Sequence, residues 1–447
     1  MAHHLFCLFR LDTLPPNPYK PTVSDDVKAI EMQATPTPAV DPKLPPLWHN
    51  RDYMLLWSGQ IISVIGTGAT QIVYPLLVLA LTNSPAAAGI AGGLISVPYI
   101  VFSLLAGALV DRWDRKRVMI YCDIGRALVL FTIPVALWFH VLTVWQIYAC
   151  ALIEGTLFVF YNVSDVAALS RVVDKAQLPQ AVVQNQVASS LANIVAPSVG
   201  TVLFQLGRAF PFLFDCVSYI GSVVSLFLIR KEFQAERKAT ETHILQEIRE
   251  GLGWLWHQPL IRFFAFFIGA LNFIGAATPL IIIVLAKNMG ASDAEIGFVF
   301  SLSAVGAIVG SLLGGWVQKH FRFHHIVISM VWFSALLFPL LALAPHIYVL
   351  ALIMGLSWAA GPISEVGLIS YRIALIPDAL QGRVNSAYRL INFGFQPLGA
   401  VVSGVIIQRF GVLAAIAFFS VWYFGIALAT LLNPHLRAAR HIGLGAS

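Results

Sequence analysis

Charged residues occupy only 11% of the 447 positions, too few to clothe a water-soluble chain of this length. The four cysteines (Cys7, Cys122, Cys150 and Cys216) show no metal-ligand spacing; three sit in apolar runs, where they act as small hydrophobes. No Gly-Lys pair occurs, so a Walker A phosphate loop is excluded and this chain cannot power its own work by nucleotide hydrolysis. His-Glu-x2-His and Gly-x-Ser-x-Gly are missing as well, which removes the commonest signatures of a membrane-embedded zinc hydrolase or serine enzyme. Nor does the chain alternate apolar and polar residues as barrel strands do: Val217–Ile229 and Ala415–Leu432 are apolar on every face.

What remains is hydrocarbon. Hydrophobic residues make up 58% of the chain and its mean hydropathy is +0.78. A bilayer core about 30 Å thick takes roughly 20 apolar residues per helix. Runs of that length predict spans over 53–81, 86–110, 118–139, 143–169, 182–206 and 211–229, then 261–286, 293–317, 324–344, 347–371, 384–408 and 411–432. The expectation is an all-α polytopic membrane protein with about 12 transmembrane helices in two pseudo-symmetric six-helix bundles.

The net charge of +6 could suggest nucleic acid, but Lys and Arg crowd into alternate gaps between spans. Only Arg208, Lys287 and Arg409 fall in gaps assigned to the outside. This bias puts both termini and the middle loop in the cytoplasm, with anionic lipid rather than nucleic acid facing the positive charge. The domain reading is a disordered tail over 1–48, a first bundle over 49–229, a cytoplasmic linker over 230–259, a second bundle over 260–433 and a tail over 434–447. Leu5–Phe9 is too short for a signal-peptide core before Arg10 interrupts it, and Met32 is a second candidate start. In the linker, Ile244, Ile248, Leu252 and Leu255 recur at helical spacing beside Trp254 and Trp256, predicting an amphipathic helix on the membrane surface.

The densest local signal is Gly107-Ala-Leu-Val-Asp111-Arg112-Trp113-Asp114-Arg115-Lys116-Arg117, between spans two and three. Topology alone would explain its cations, but not Gly107 or the acids. A glycine there permits close helix approach, and Asp111 one turn later can meet a helix N-terminus or a cation. The halves echo each other: 107–115 matches 314–322 in position, and Asn185, Pro197 and Gly200 match Asn385, Pro397 and Gly399.

With these residues the chain resembles the major facilitator superfamily, whose loop between spans two and three carries a Gly-x3-Asp-x2-Gly-Arg-Lys-type motif. Asp114 departs from that motif, in the manner of the branch containing enterobactin exporters and macrolide efflux proteins. Asn50-Arg51-Asp52-Tyr53, Pro211–Asp215 and Glu250–Leu255 match the same branch, and the resemblance covers residues 50–433. It implies alternating access by rocking of the two halves in a bacterial cytoplasmic membrane. A latch is implied too, pairing Asp111 with the start of span eleven and Arg115 with Asp165. Span five carries Ala192-x3-Ala196-Pro197-x2-Gly200-Thr201 where antiporters of the superfamily carry Gly-x3-Gly-Pro-x2-Gly-Gly; the small residues and the proline remain, pointing to export.

Ionisable groups inside spans are functional candidates by default. Glu154, near the middle of span four, is a proton-coupling candidate or a hydrogen-bonded structural acid; Glu365 in span ten divides between the same roles. Asp123 and Arg126, three apart in span three, share a face, as an internal ion pair or as further proton-coupling candidates. Asp215 in the first turns of span six complements the helix dipole. The histidines at 320, 324 and 325 lie in a loop and read as solvated surface. Gln60, Ser63, Thr67, Gln71 and Tyr74 form a polar stripe in span one, and Asn385, Arg389, Asn392 and Gln396 form another in span eleven. Asn272 breaks the apolar run of span seven. Such stripes face a water-filled cavity or bond neighbouring helices. The resemblance puts spans one, four, seven and ten around the cavity, with Phe158, Tyr161 and Trp358 available to an apolar ligand. The reading is a monomeric secondary exporter, not an enzyme, with no bound cofactor and the proton gradient as energy source. Its substrate is a small amphipathic drug, macrolide or siderophore; an importer or uniporter, a membrane enzyme and a passive channel are the alternatives.

Overall fold

In the computed structural model, residues 45–436 are described apart from 111, 175, 232, 234–243, 377–380 and 435. Twelve helices in this region are long and apolar enough to cross a bilayer. In chain order they are α1 Arg51–Thr82, α2 Pro85–Val110, α3 Arg115–Trp138, α4 Val144–Val172, α5 Leu178–Leu206, α6 Phe210–Leu228, α7 Pro259–Asn288, α8 Asp293–His320, α9 Phe323–Leu337, α10 Ile347–Leu375, α11 Gln381–Phe410 and α12 Val412–Leu432. Helices are the form such a chain must take, because lipid offers no partner to an unpaired backbone group. Seven of them carry a proline in the interior (Pro75, Pro98, Pro134, Pro197, Pro279, Pro362 and Pro397), and α9 ends in a 3-10 turn over Phe338–Leu343.

Local chemistry sets the helix ends. Asn50 caps α1, accepting from the Tyr53 amide at 3.1 Å, and Ser292 with Glu295 forms a capping box on α8. Asp114, the departure from the superfamily motif, caps α3 by accepting from the Arg117 amide at 3.1 Å. Only Asn83 and Ser84 separate α1 from α2, with Asn83 in the left-handed region at φ 52°.

In the first half α1 packs against α5 and α6, α2 against α4, and α3 against α4 and α6. In the second, α7 packs against α11, and α10 against α8 and α9. Equivalent glycines mediate equivalent contacts: a Cβ at Gly200 of α5 would strike the backbone of Ala69 in α1, and one at Gly399 of α11 would strike that of Phe273 in α7. The halves meet chiefly through two pairs, α2 with α11 and α5 with α8, with smaller contacts of α7 on α2 and α1. We call the face carrying Arg51 and Leu432 the terminal face and the opposite one the far face. At the far face Gln408 of α11 accepts from Ser84 Oγ at 2.7 Å and from the Ala86 amide at 3.1 Å, and Ser301 of α8 donates to Ser198 of α5 at 2.7 Å. Contact along α2 and α11 continues inward to Tyr99 and Phe393, whose ring centroids lie 4.5 Å apart. Nearer the terminal face a Cβ on Gly107 of α2 would meet nothing within 4 Å. The close approach expected of Gly107 is therefore not made in this conformation.

The linker helix spans Ile244–His257. It packs on α11 and α7, with Leu255 wholly buried and Trp256 exposed. The side chains of Ile244 and Ile248 lie outside the described residues, as do Cys7 and the whole of 1–44.

Candidate functional site

Between the halves lies a cavity of about 640 Å³. Its wall comes from α1 (Gln71, Pro75), α2 (Ser96, Tyr99), α4 (Phe158, Asn162), α5 (Pro197), α7 (Asn272, Pro279) and α11 (Arg389, Phe393, Gln396), with glycines on α1, α2, α4 and α7 keeping it wide. This is where six of the expected residues meet: Gln71, Phe158, Pro197, Asn272, Arg389 and Gln396. Spans one, four and seven contribute as expected, but α2 and α11 replace α10. Trp358 of α10 is not in the wall, because α10 is drawn against α8, where a Cβ on Gly306 or Gly310 would strike the backbone of Gly355 or Ala359. Asn392 is buried and not in the wall; its backbone carbonyl accepts from Asn272 at 3.1 Å. Glu365 is exposed on α10 and outside the wall. The Asn385 side chain lies outside the described residues.

Behind the wall, inside the first half, is a second polar centre that the cavity does not reach. Arg126 of α3 is 1% exposed, with Asp123 Oδ1 at 3.5 Å and Glu154 Oε1 at 3.7 Å. Its Nη2 donates to Thr67 Oγ1 at 2.9 Å, and its guanidinium lies over the Tyr219 ring at 4.1 Å. Glu154 accepts from Tyr74 at 2.8 Å and from Tyr219 at 3.2 Å. Asp215 of α6 accepts from Thr70 at 2.7 Å and from Ser218 at 3.0 Å. Neither Asp123 oxygen has a hydrogen-bond partner among the described residues. Charges removed from water persist only when paired and hydrogen-bonded, and here two buried carboxyl groups flank one guanidinium while a third, Asp215, is held by hydroxyls.

Three expectations change. Thr67 and Tyr74 belong to this buried centre, not to the cavity, because α1 is enclosed by α5, α6 and α4 and each turn of its polar stripe meets a different neighbour. Tyr161 is likewise buried, 3.5 Å from Ser222 of α6. Asp215, expected as a dipole partner, is a member of the cluster. The signal for it lies in the sequence: Asp215, Ser218, Tyr219 and Ser222 follow helical spacing down one face of α6.

The two centres touch at one side chain. Phe158 forms part of the cavity wall and also lies 5.4 Å from the Arg126 guanidinium, within cation–π range.

Nearer the terminal face, Asp165 is buried and accepts from Gln60 at 2.7 Å, and Gln60 accepts from Asn185 at 3.4 Å. Among the described residues no ion pair joins Asp165 to Arg115, so that half of the expected latch is not closed here. Asp111 lies outside the described residues. Of the remaining loop cations, Lys116 donates to the Ile229 carbonyl just past α6 at 2.7 Å, Arg117 pairs with Asp114 at 3.6 Å, and Arg112 is exposed. In α5, Ala196 is fully buried, Pro197 faces the cavity and Gly200 allows the contact with α1.

Two bundles joined by few helices around a central cavity define a membrane transporter of the major facilitator type. The chain belongs to the transmembrane secretion effector family, which matches residues 43–442, and is an efflux transporter of the major facilitator superfamily. It is 24% identical over 402 residues to the multidrug efflux pump Tap of Mycolicibacterium fortuitum, covering 86% of this chain and 96% of Tap. It is also 24% identical over 379 residues to macrolide efflux protein A of Streptococcus pyogenes, covering 82% and 91%. Among solved structures, the nucleoside transporter NupG shares the fold with a TM-score of 0.69 at 15% identity, covering 87% of this chain and 100% of that one.

Proposed function

We propose that this chain is a proton-coupled antiporter that expels a small amphipathic compound from the cytoplasm, with both termini cytoplasmic. The orientation follows from the concentration of Lys and Arg at the terminal face, against Arg208, Lys287 and Arg409 at the other. On that orientation the far face is outside and closed, and the cavity faces inward, ready to load.

The observation that carries the coupling is Phe158, shared between the cavity wall and the Arg126 cluster. No carboxylate is among the described residues of the wall, so substrate and proton do not compete for one acid. Coupling runs instead through α4, whose Glu154 and Phe158 lie one turn apart. A ligand against Phe158 shifts the helix that carries Glu154, and with it the share of one guanidinium among three acids. Protons fill the balance of that cluster, and no nucleotide site is needed.

The test uses proteoliposomes with an acidic interior and an enclosed pH dye, to which macrolides, cationic dyes and catecholates are added in turn. Addition of a transported compound is expected to release protons, and Glu154→Gln to abolish that release while the compound still moves down its own gradient. Compound movement with no proton release in the wild type would make the protein a uniporter and end the antiport reading.

A further inference from the structure

The charge of the cavity carries information about its ligand that the family does not. Arg389 is the single ionisable side chain other than Tyr99 among the described residues of the wall, and no acid is among them. Arg389 is exposed to the cavity, and no described carboxylate lies within ion-pair distance of it. That is unlike Arg126, the other arginine at this depth, which is buried and matched by acids. A guanidinium held unpaired in a cavity between helices is an unmet demand for an oxyanion, which it binds through two parallel N–H donors. It also repels a cationic ligand at close range.

Beside Arg389 on α11, one turn further along, Phe393 packs against Tyr99 of α2 with ring centroids 4.5 Å apart and planes 43° apart. Phe158 is also in the wall. The tilted ring pair offers a face for a flat apolar group, and Gln396 adds a neutral polar contact one turn beyond it.

We propose that the transported compound is an organic anion, an aromatic or similarly flat body bearing a carboxylate or other oxyanion, and that Arg389 binds the oxyanion while Tyr99, Phe393 and Phe158 enclose the ring. This deepens the exporter reading and rests on it for direction. With the termini inside, the interior-negative membrane potential drives an anion outward and holds a cation back. An export cavity lined by a cation and no acid is matched to that field.

The test is equilibrium binding to the full-length protein in nanodiscs, using three probes on one ring system: 2-naphthoate, 2-naphthamide and 2-naphthylmethylammonium. The naphthoate is expected to bind at least tenfold more tightly than the other two. Arg389→Gln is expected to remove that preference, and Arg389→Lys to retain part of it. If the variants do not fold, the wild-type order and its weakening by added salt still decide. Equal binding of the three probes, preference for the ammonium, or binding of none overturns the proposal. Binding is read apart from transport. Arg389-dependent naphthoate binding without movement in proteoliposomes would sink the exporter reading and leave the anion site standing. Proton-linked movement of the ammonium in preference to the naphthoate would do the reverse.

Discussion

Replacement of Arg126 by leucine is expected to abolish transport and to destabilise the first bundle by about 3–5 kcal/mol, the usual effect of removing one partner from a buried ionic group. The side chain is 1% exposed and faces Asp123 and Glu154, while Asp215 is enclosed on the neighbouring turn of α6. Without the guanidinium these carboxyl groups lose the counter-charge that pairs with them among the described residues, and Thr67 and the face of Tyr219 lose their cationic partner. Arg126→Lys keeps the charge but cannot reach both acids and Thr67 with one ammonium. It should fall between wild type and Arg126→Leu. Thermal unfolding in detergent, paired with efflux from proteoliposomes, reads both effects. A leucine variant with wild-type unfolding and undiminished efflux would show that the cluster is neither a structural nor a coupling centre.

The spans were legible because a run of about 20 apolar residues specifies a membrane helix without reference to any neighbour. The ends were legible for the same reason: Asn50 and the Ser292–Glu295 box act within one turn. The partition of polar residues was not. On α1, Gln60, Thr67, Gln71 and Tyr74 read as one stripe, yet at 100° per residue Gln71 and Tyr74 differ by about 60° around the axis. On a helix enclosed by others, that angle separates a cavity from a neighbouring helix. Gln71 lines the cavity, while Tyr74 bonds Glu154 of α4. For Asp215 the dipole of its own helix is a local explanation, whereas its hydrogen bond to Thr70 joins residues 145 apart, a distance that no local pattern reports.

Motifs name the mechanism class more readily than its state. Gly107 and Arg115 point to the contacts of a closed terminal face. Here Gly107 is unopposed and Asp165 bonds Gln60. A sequence records contacts from every conformation of a carrier at once, and one structure resolves a single set. The small residues at the far face are the set engaged here, and they are where substitution should shift the balance furthest.

Gly404 of α11 is the sharpest case. A Cβ there would lie 2.5 Å from the Pro85 carbonyl oxygen and 3.1 Å from the Cα atoms of Ala86 and Gly89. All three are backbone atoms of α2, so nothing flexible can yield. Gly404→Val is therefore expected to prevent the seal between α2 and α11 and to favour the conformation in which the far face is open. Overpacking of this kind costs roughly 1–3 kcal/mol, and a bias of that size shifts a two-state balance by roughly 5–150-fold. Ser96 lines the cavity beneath the seal, 3.4 Å from Gln396, so a Ser96→Cys reporter reads the change directly. The described native cysteines are buried, and Cys7→Ser removes the fourth. Labelling by an impermeant maleimide from the far side should rise at least fivefold with Gly404→Val, and efflux should fall in step. Unchanged labelling would mean that the two helices part elsewhere, and that the close packing at Gly404 serves assembly rather than gating.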